Sequence, residues 1–305
     1  MDTTAASDVE APRAEKSLFG GIAIMLTGAL SNQVGAATGA HAFSAIGPAG
    51  VVAVRQIVAA AVLVPLARPP FRRMTWAQWW PTLLLAAVFA TMNLSLYTAI
   101  DRIGLSLAVT LEFLGPLAVA LAGSRTRIDL LIAVVAGVGV YVLVLPGSTS
   151  DYLGLTLALV AAACWASYIL LNRLLGGRLP GLQAPAAATS VSALVYLPVL
   201  VVLIAEGRLR GMPLVYAFAA GVLSSAIPYA ADLVALRRVS ARFFGVFLSV
   251  NPVIAALAGI VLLGQLLDLH EWIGIAIVVS ANAIAVALSR PRPPDLVEDT
   301  VTALT

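Results

Sequence analysis

Three ionisable side chains sit well inside apolar runs of this chain: Arg55, Glu112 and Asp232. A charge at the centre of a bilayer costs about 2.5–3.5 kcal/mol on insertion scales, so such residues mark substrate or ion pathways by default. Glu112 can do three kinds of work there. It can bind a cationic group, carry a proton, or neutralise Arg55 in a structural ion pair. Helical spacing gives these charges polar neighbours. Glu112 shares a face with Gly115 and Pro116, while Ser225, Tyr229 and Asp232 fall at i, i+4 and i+7. Asn93 and Tyr97 are four apart, Trp165, Tyr168 and Asn172 form one stripe, and Asn32 and Gln33 are polar residues in the first apolar run.

Plainer readings stand beside these. Asp232 lies about one turn from Arg237 and also suits a membrane interface. Tyr168 and Asn172 suit ordinary helix–helix hydrogen bonds, and Trp76, Trp79, Trp80 and Trp272 suit interfacial anchors.

Prolines add backbone chemistry. Proline has no N–H and leaves the carbonyl four residues back without its helical donor. Pro116 therefore frees the carbonyl of Glu112 itself, Pro228 that of Ser224, and Pro252 that of Leu248. In lipid such a carbonyl must find a partner or line a wet cavity. No HExxH, CxxC, glycine-rich phosphate loop or nucleophile elbow is present. Neither catalytic residues, a metal site, a cofactor nor an ATP-driven pump is expected. The single cysteine, Cys164, allows no intrachain disulfide and reads as a small buried residue.

The elements that must position these groups are membrane helices. The chain is 61% hydrophobic and only 11% charged, against about 25% charged in soluble domains. Basic residues are scattered singly and in pairs, which argues against a nucleic-acid partner. At about 20 residues per span, ten spans are expected: 18–40, 47–67, 79–100, 104–123, 128–146, 153–174, 183–205, 213–236, 241–264 and 271–289. With the N-terminus inside, fourteen Lys and Arg fall in cytoplasmic segments and three (Arg102, Arg208, Arg210) opposite. The excess of basic residues on one side places both termini in the cytoplasm. Residues 1–17 and 290–305 are polar and expected to be unstructured.

Residues 99–123 align with 235–259 at a constant offset of 136, with seven identities including Pro116/Pro252 and Arg102/Arg238. Five helices separate the copies, and five is odd, so the second is inverted. The expected fold is all-α, two inverted five-helix repeats over 18–146 and 153–289. Inverted repeats whose broken helices meet near the midplane are typical of secondary transporters.

The strings "LEFLGPLAVALAGSRTRIDLL", "LSSAIPYAADLVALRRVSARFFGVFLSVNPVIAALAGIVLLGQ", "GPAGVVAVRQ" and "CWASYIL" resemble the EamA-type drug/metabolite transporter superfamily, especially its threonine/homoserine exporter branch. The resemblance covers about 18–289. It implies a central cavity and export of small amphipathic metabolites, amino acids first. Gln33, Arg55, Asn93, Tyr97, Glu112, Trp165, Tyr168 and Tyr229 fall where the branch has the same residue types. Asp232, Asn251, Gln265 and Ala40 depart from it. The expectation is a secondary exporter of the cytoplasmic membrane working by alternating access. Its substrate is an amino acid or a related metabolite, with a proton as a possible second partner through Glu112. An exporter of another metabolite or a drug is the alternative, and a membrane scaffold or enzyme the more distant one.

Overall fold

The computed structural model describes residues 7–122, 127–145, 151–235, 239 and 241–288, without the side chains of 7–19, 229, 230, 232, 233, 241 and 242. Every regular element among the described residues is helical. In chain order these are α1 (Ser7–Ala40), α2 (Phe43–Ala67), α3 (Trp76–Ile103), α4 (Leu105–Glu112), α5 (Leu114–Ala122), α6 (Arg127–Leu143) and α7 (Tyr152–Gly176). They continue with α8 (Gln183–Val195), α9 (Leu197–Ala205), α10 (Met212–Gly221), a π-turn (Val222–Ala226), α11 (Ile227–Ala235), α12 (Ala241–Leu248), α13 (Asn251–Leu263) and α14 (Leu269–Leu288).

Each of the ten apolar stretches holds helix. Six spans are long and apolar enough to cross a membrane: α2, α3, α4 with α5, α7, α12 with α13, and α14. A seventh joins α8 and α9 across a 42° bend. The chain is a multi-pass membrane protein.

Proline explains most of the breaks. α4 ends at Glu112, four residues before Pro116, and α12 ends at Leu248, four before Pro252. The α8–α9 bend at Tyr196 precedes Pro198 at the start of α9. Near the start of α2, Gly47 takes φ 69° and ψ 166°, a conformation open to glycine, and turns the chain just before Pro48.

One expectation changes. The polar segment before Leu18 is not unstructured from Ser7 onward, because α1 begins there and runs on unbroken to Ala40. The stretch 183–205 holds the bent pair α8 and α9. The expectation for 290–305 lies outside the described residues.

The helices pack as follows. α3 lies along α7 and α8, α1 along α10, α11 and α13, and α2 along α8 and α10. α7 also takes α4 and α5, α4 meets α13, and α6 lies along α14. The core at these contacts is rich in alanine and valine, including Ala36, Ala37, Val51, Val52, Ala108 and Ala255. Small side chains bring backbones together where lipid supplies no hydrophobic drive between helices.

Candidate functional site

The helices bring candidate residues into two groups. In the first, α2 carries Arg55 towards α3 and the π-turn. The guanidinium carbon stands 5.2 Å from the Tyr97 ring centroid, within cation–π range. Its Nη2 donates to the Ser224 carbonyl at 3.0 Å and its Nε to Ser225 Oγ at 3.2 Å. Tyr97 is fully buried, edge-on to Phe43 with centroids 5.9 Å apart, and its hydroxyl has no hydrogen-bond partner. A buried, unpaired hydroxyl is costly, and a ligand is one way to satisfy it.

The second group surrounds the break after α4. Glu112 is 6% exposed. It lies within electrostatic reach of Arg55 and Cys164. The ion pairs among the described residues are Arg102–Asp151 and Arg208–Glu206. Arg55 and Glu112 therefore do not form the close structural pair that the sequence left open. No side chain among the described residues hydrogen-bonds the Glu112 carboxylate. The next residue, Phe113, packs edge-on against Trp165 of α7 at 4.6 Å. Gly115 makes this approach possible, because a β-carbon there would overlap the Ala162 carbonyl of α7.

The remaining candidates do different work. Asn251 is 5% exposed and donates to the Leu248 carbonyl at 2.8 Å. That is the carbonyl Pro252 deprives of its donor, so Asn251 seals the second break. Gln33 of α1 donates to Asn251 Oδ1 at 3.2 Å and fixes the cap. Asn93 bonds back to the Phe89 carbonyl of its own helix, and Asn172 likewise to Tyr168, rather than across helices. The Tyr168 ring tilts against Phe89 at 5.4 Å. The side chains of Tyr229 and Asp232 lie outside the described residues. Among the described residues no group of three His, Cys, Asp or Glu can hold a metal ion.

Sequence reasoning passed over Ser31, whose hydroxyl donates to the Leu223 carbonyl at 2.7 Å. It also passed over the role of Gln265, whose Oε1 accepts from the Leu105 N–H at 3.1 Å and caps α4. Pro228 was the available signal for the first, since it removes a donor from the same turn. Gly104, at φ 83°, marks the second.

The EamA-like transporter family model matches residues 152–287. Threonine/homoserine exporter RhtA of Escherichia coli (strain K12) is 33% identical over 264 residues, 86% of this chain and 89% of the relative. Threonine/homoserine exporter RhtA of Salmonella typhimurium (strain SL1344) is 32% identical over 275 residues, 89% of this chain and 93% of the relative. A solved crystal structure shares the fold with a TM-score of 0.58. At 19% identity it covers 89% of this chain and 98% of its own. This chain belongs to the EamA-like transporter family.

Proposed function

We propose that this chain is a secondary transporter that exports threonine, homoserine or closely related amino acids across the cytoplasmic membrane by alternating access. The observation that carries the reading is Glu112. A buried carboxylate stands at a proline break, free of any ion pair among the described residues, within the field of an arginine. Such an acid and base, separated rather than paired, complement the ammonium and carboxylate of a zwitterion. Tyr97, Asn93 and Tyr168 are the proposed hydrogen-bonding and aromatic surface for the ligand, and Tyr229 joins them on the sequence alone. The relatives' names point to the same substrate class.

Ten spans in two inverted halves are part of this proposal. Exchanging the halves turns α1 against α11 into α7 against α3, and α2 against α10 into α8 against α3. It turns α1 against α13 into α7 against α5, and returns α2–α8 and α6–α14 to themselves. All of these pairs are in contact. Connections between loops support the alternation. Arg102 meets Asp151 at 2.9 Å, Gln265 meets Leu105, and Arg208 meets the Ala45 carbonyl. These would all lie on the outer side. Arg178, bonded to the Ala77 carbonyl at 2.7 Å, would lie inside with both termini.

Glu112 is also the proposed carrier of any coupling proton. The test is reconstitution into liposomes with a panel of labelled amino acids, with and without a proton gradient. Threonine and homoserine are expected to move, faster with the gradient. Transport of no amino acid would overturn the substrate class. A Glu112→Gln protein with unchanged rate and pH dependence at matched protein levels would remove the proton role.

A further inference from the structure

The eighth apolar stretch does not pass through as a single α-helix. Between α10 and α11 the π-turn Val222–Ala226 widens the helix, and the Ile227 N–H closes it on the Val222 carbonyl five residues back. The next donor would be residue 228, a proline. Its missing N–H strands the Leu223 carbonyl in π register and the Ser224 carbonyl in α register. Side chains from the other end of the chain take both. Ser31 donates to Leu223 at 2.7 Å, and Arg55 donates to Ser224 at 3.0 Å. The Ser224 hydroxyl donates back to the Asn32 carbonyl at 2.9 Å. Gly35 lets α1 lie directly on the turn, since a β-carbon there would overlap Ser224 Oγ and come within 2.7 Å of Leu223 Cβ.

The turn is thus clamped to α1 on one side and holds Arg55 on the other. The groups holding Arg55 are neutral: a carbonyl, the Ser225 hydroxyl and the Tyr97 ring face. They satisfy N–H donors, and no acid among the described residues forms an ion pair with the charge. A carboxylate does both and can bind the guanidinium fork with two parallel bonds.

We infer that the π-turn is the positioning element for Arg55. A ligand carboxylate competes with the Ser224 carbonyl for the same guanidinium, and Ser225 and Pro228 are positioning residues for that exchange. This rests on the amino-acid export reading above. When the carboxylate takes Arg55, the Ser224 carbonyl loses its donor. The turn then loosens, so carboxylate binding and movement of the eighth stretch become one event. A ligand shifts a conformational balance only by its differential affinity for the two states, and Arg55 supplies that difference.

The experiment is equilibrium binding of labelled threonine to the full-length purified protein, with threoninol, which lacks the carboxylate, as comparator. Pro228→Ala restores an N–H to the turn and releases Arg55 from it. Threonine should then bind about threefold to tenfold more tightly, the worth of one hydrogen bond, with threoninol unchanged. Ser225→Ala should act in the same direction and less. Hydrogen exchange in the wild-type protein gives a second measurement: threonine should speed exchange at the Ile227 amide, and threoninol should not. If Arg55→Gln weakens threonine binding while Pro228→Ala and Ser225→Ala leave it at the wild-type value, the exchange is overturned and the ligand role of Arg55 stands. If Arg55→Gln also leaves threonine binding unchanged, the reading beneath it falls too. An Ile227 amide indifferent to threonine overturns the inference even if a variant fails to fold.

Discussion

Pro116 and Pro252 stand 136 positions apart, and the breaks they make are handled in opposite ways. At the second, Asn251 turns its amide onto the stranded Leu248 carbonyl, and Gln33 holds that amide in place. The break is closed by its own neighbours. At the first, Glu112 stands where the second has Leu248, and Gly115 stands where it has Asn251. Gly115 gives α5 direct contact with the α7 backbone, and no described side chain donates to the Glu112 carbonyl. One backbone device therefore yields a sealed joint after α12. After α4 it leaves an acidic side chain with no hydrogen-bonding side chain beside it among the described residues. Chemistry follows the residue beside the proline, not the proline itself.

The comparison breaks most sharply if the first site is made to copy the second. Glu112→Leu should cut threonine transport in proteoliposomes at least tenfold, since a role in binding or coupling cannot survive loss of the carboxylate. Its thermal midpoint should not fall, because a buried, unpaired acid is removed. Asn251→Leu should do the reverse. An unsatisfied Leu248 carbonyl costs about 1–3 kcal/mol, read as a lower unfolding midpoint. Adding Gln33→Leu should cost less than the sum of the two single changes, as coupled partners do.

Gly115→Ala tests the packing on which the first break rests. Overpacking against Ala162 should destabilise by about 1–3 kcal/mol, whereas Gly137→Ala, where a β-carbon meets nothing within 4 Å, should be near neutral. The smallest effect concerns the contact between Arg102 and Asp151. The Gly154 N–H and then Arg102 hold the Asp151 carboxyl below its ordinary value. A carboxyl depressed by folding adds stability above its unfolded pKa, which is lost as pH falls through the folded value. Asp151→Asn should therefore remove a slight acid-side drop in the wild-type thermal midpoint.

Much of this was legible beforehand, and for physical reasons. Hydropathy marks helices because lipid leaves backbone groups no other partner, and proline marks breaks because it lacks a donor. The break after Glu112 and the carbonyls of Ser224 and Leu248 follow from that alone. What satisfies those carbonyls does not. Asn251 has the residue type of a ligand-binding amide, and only the fold shows it turned back across the break onto α12 with Gln33 behind it. The π-turn depends on donors from Ser31 and Arg55, distant in sequence, so no local pattern announces it. Pro198 carried a readable signal for the α8–α9 bend, hidden by the even hydropathy of 183–205.

The account's central claim is that the Glu112 carboxylate meets the amino-acid ligand, and equilibrium binding of labelled threonine to Glu112→Gln protein tests it without relying on transport. The account predicts at least tenfold weaker binding than wild type, with an unfolding midpoint no lower. Equal affinity in a folded variant would contradict it.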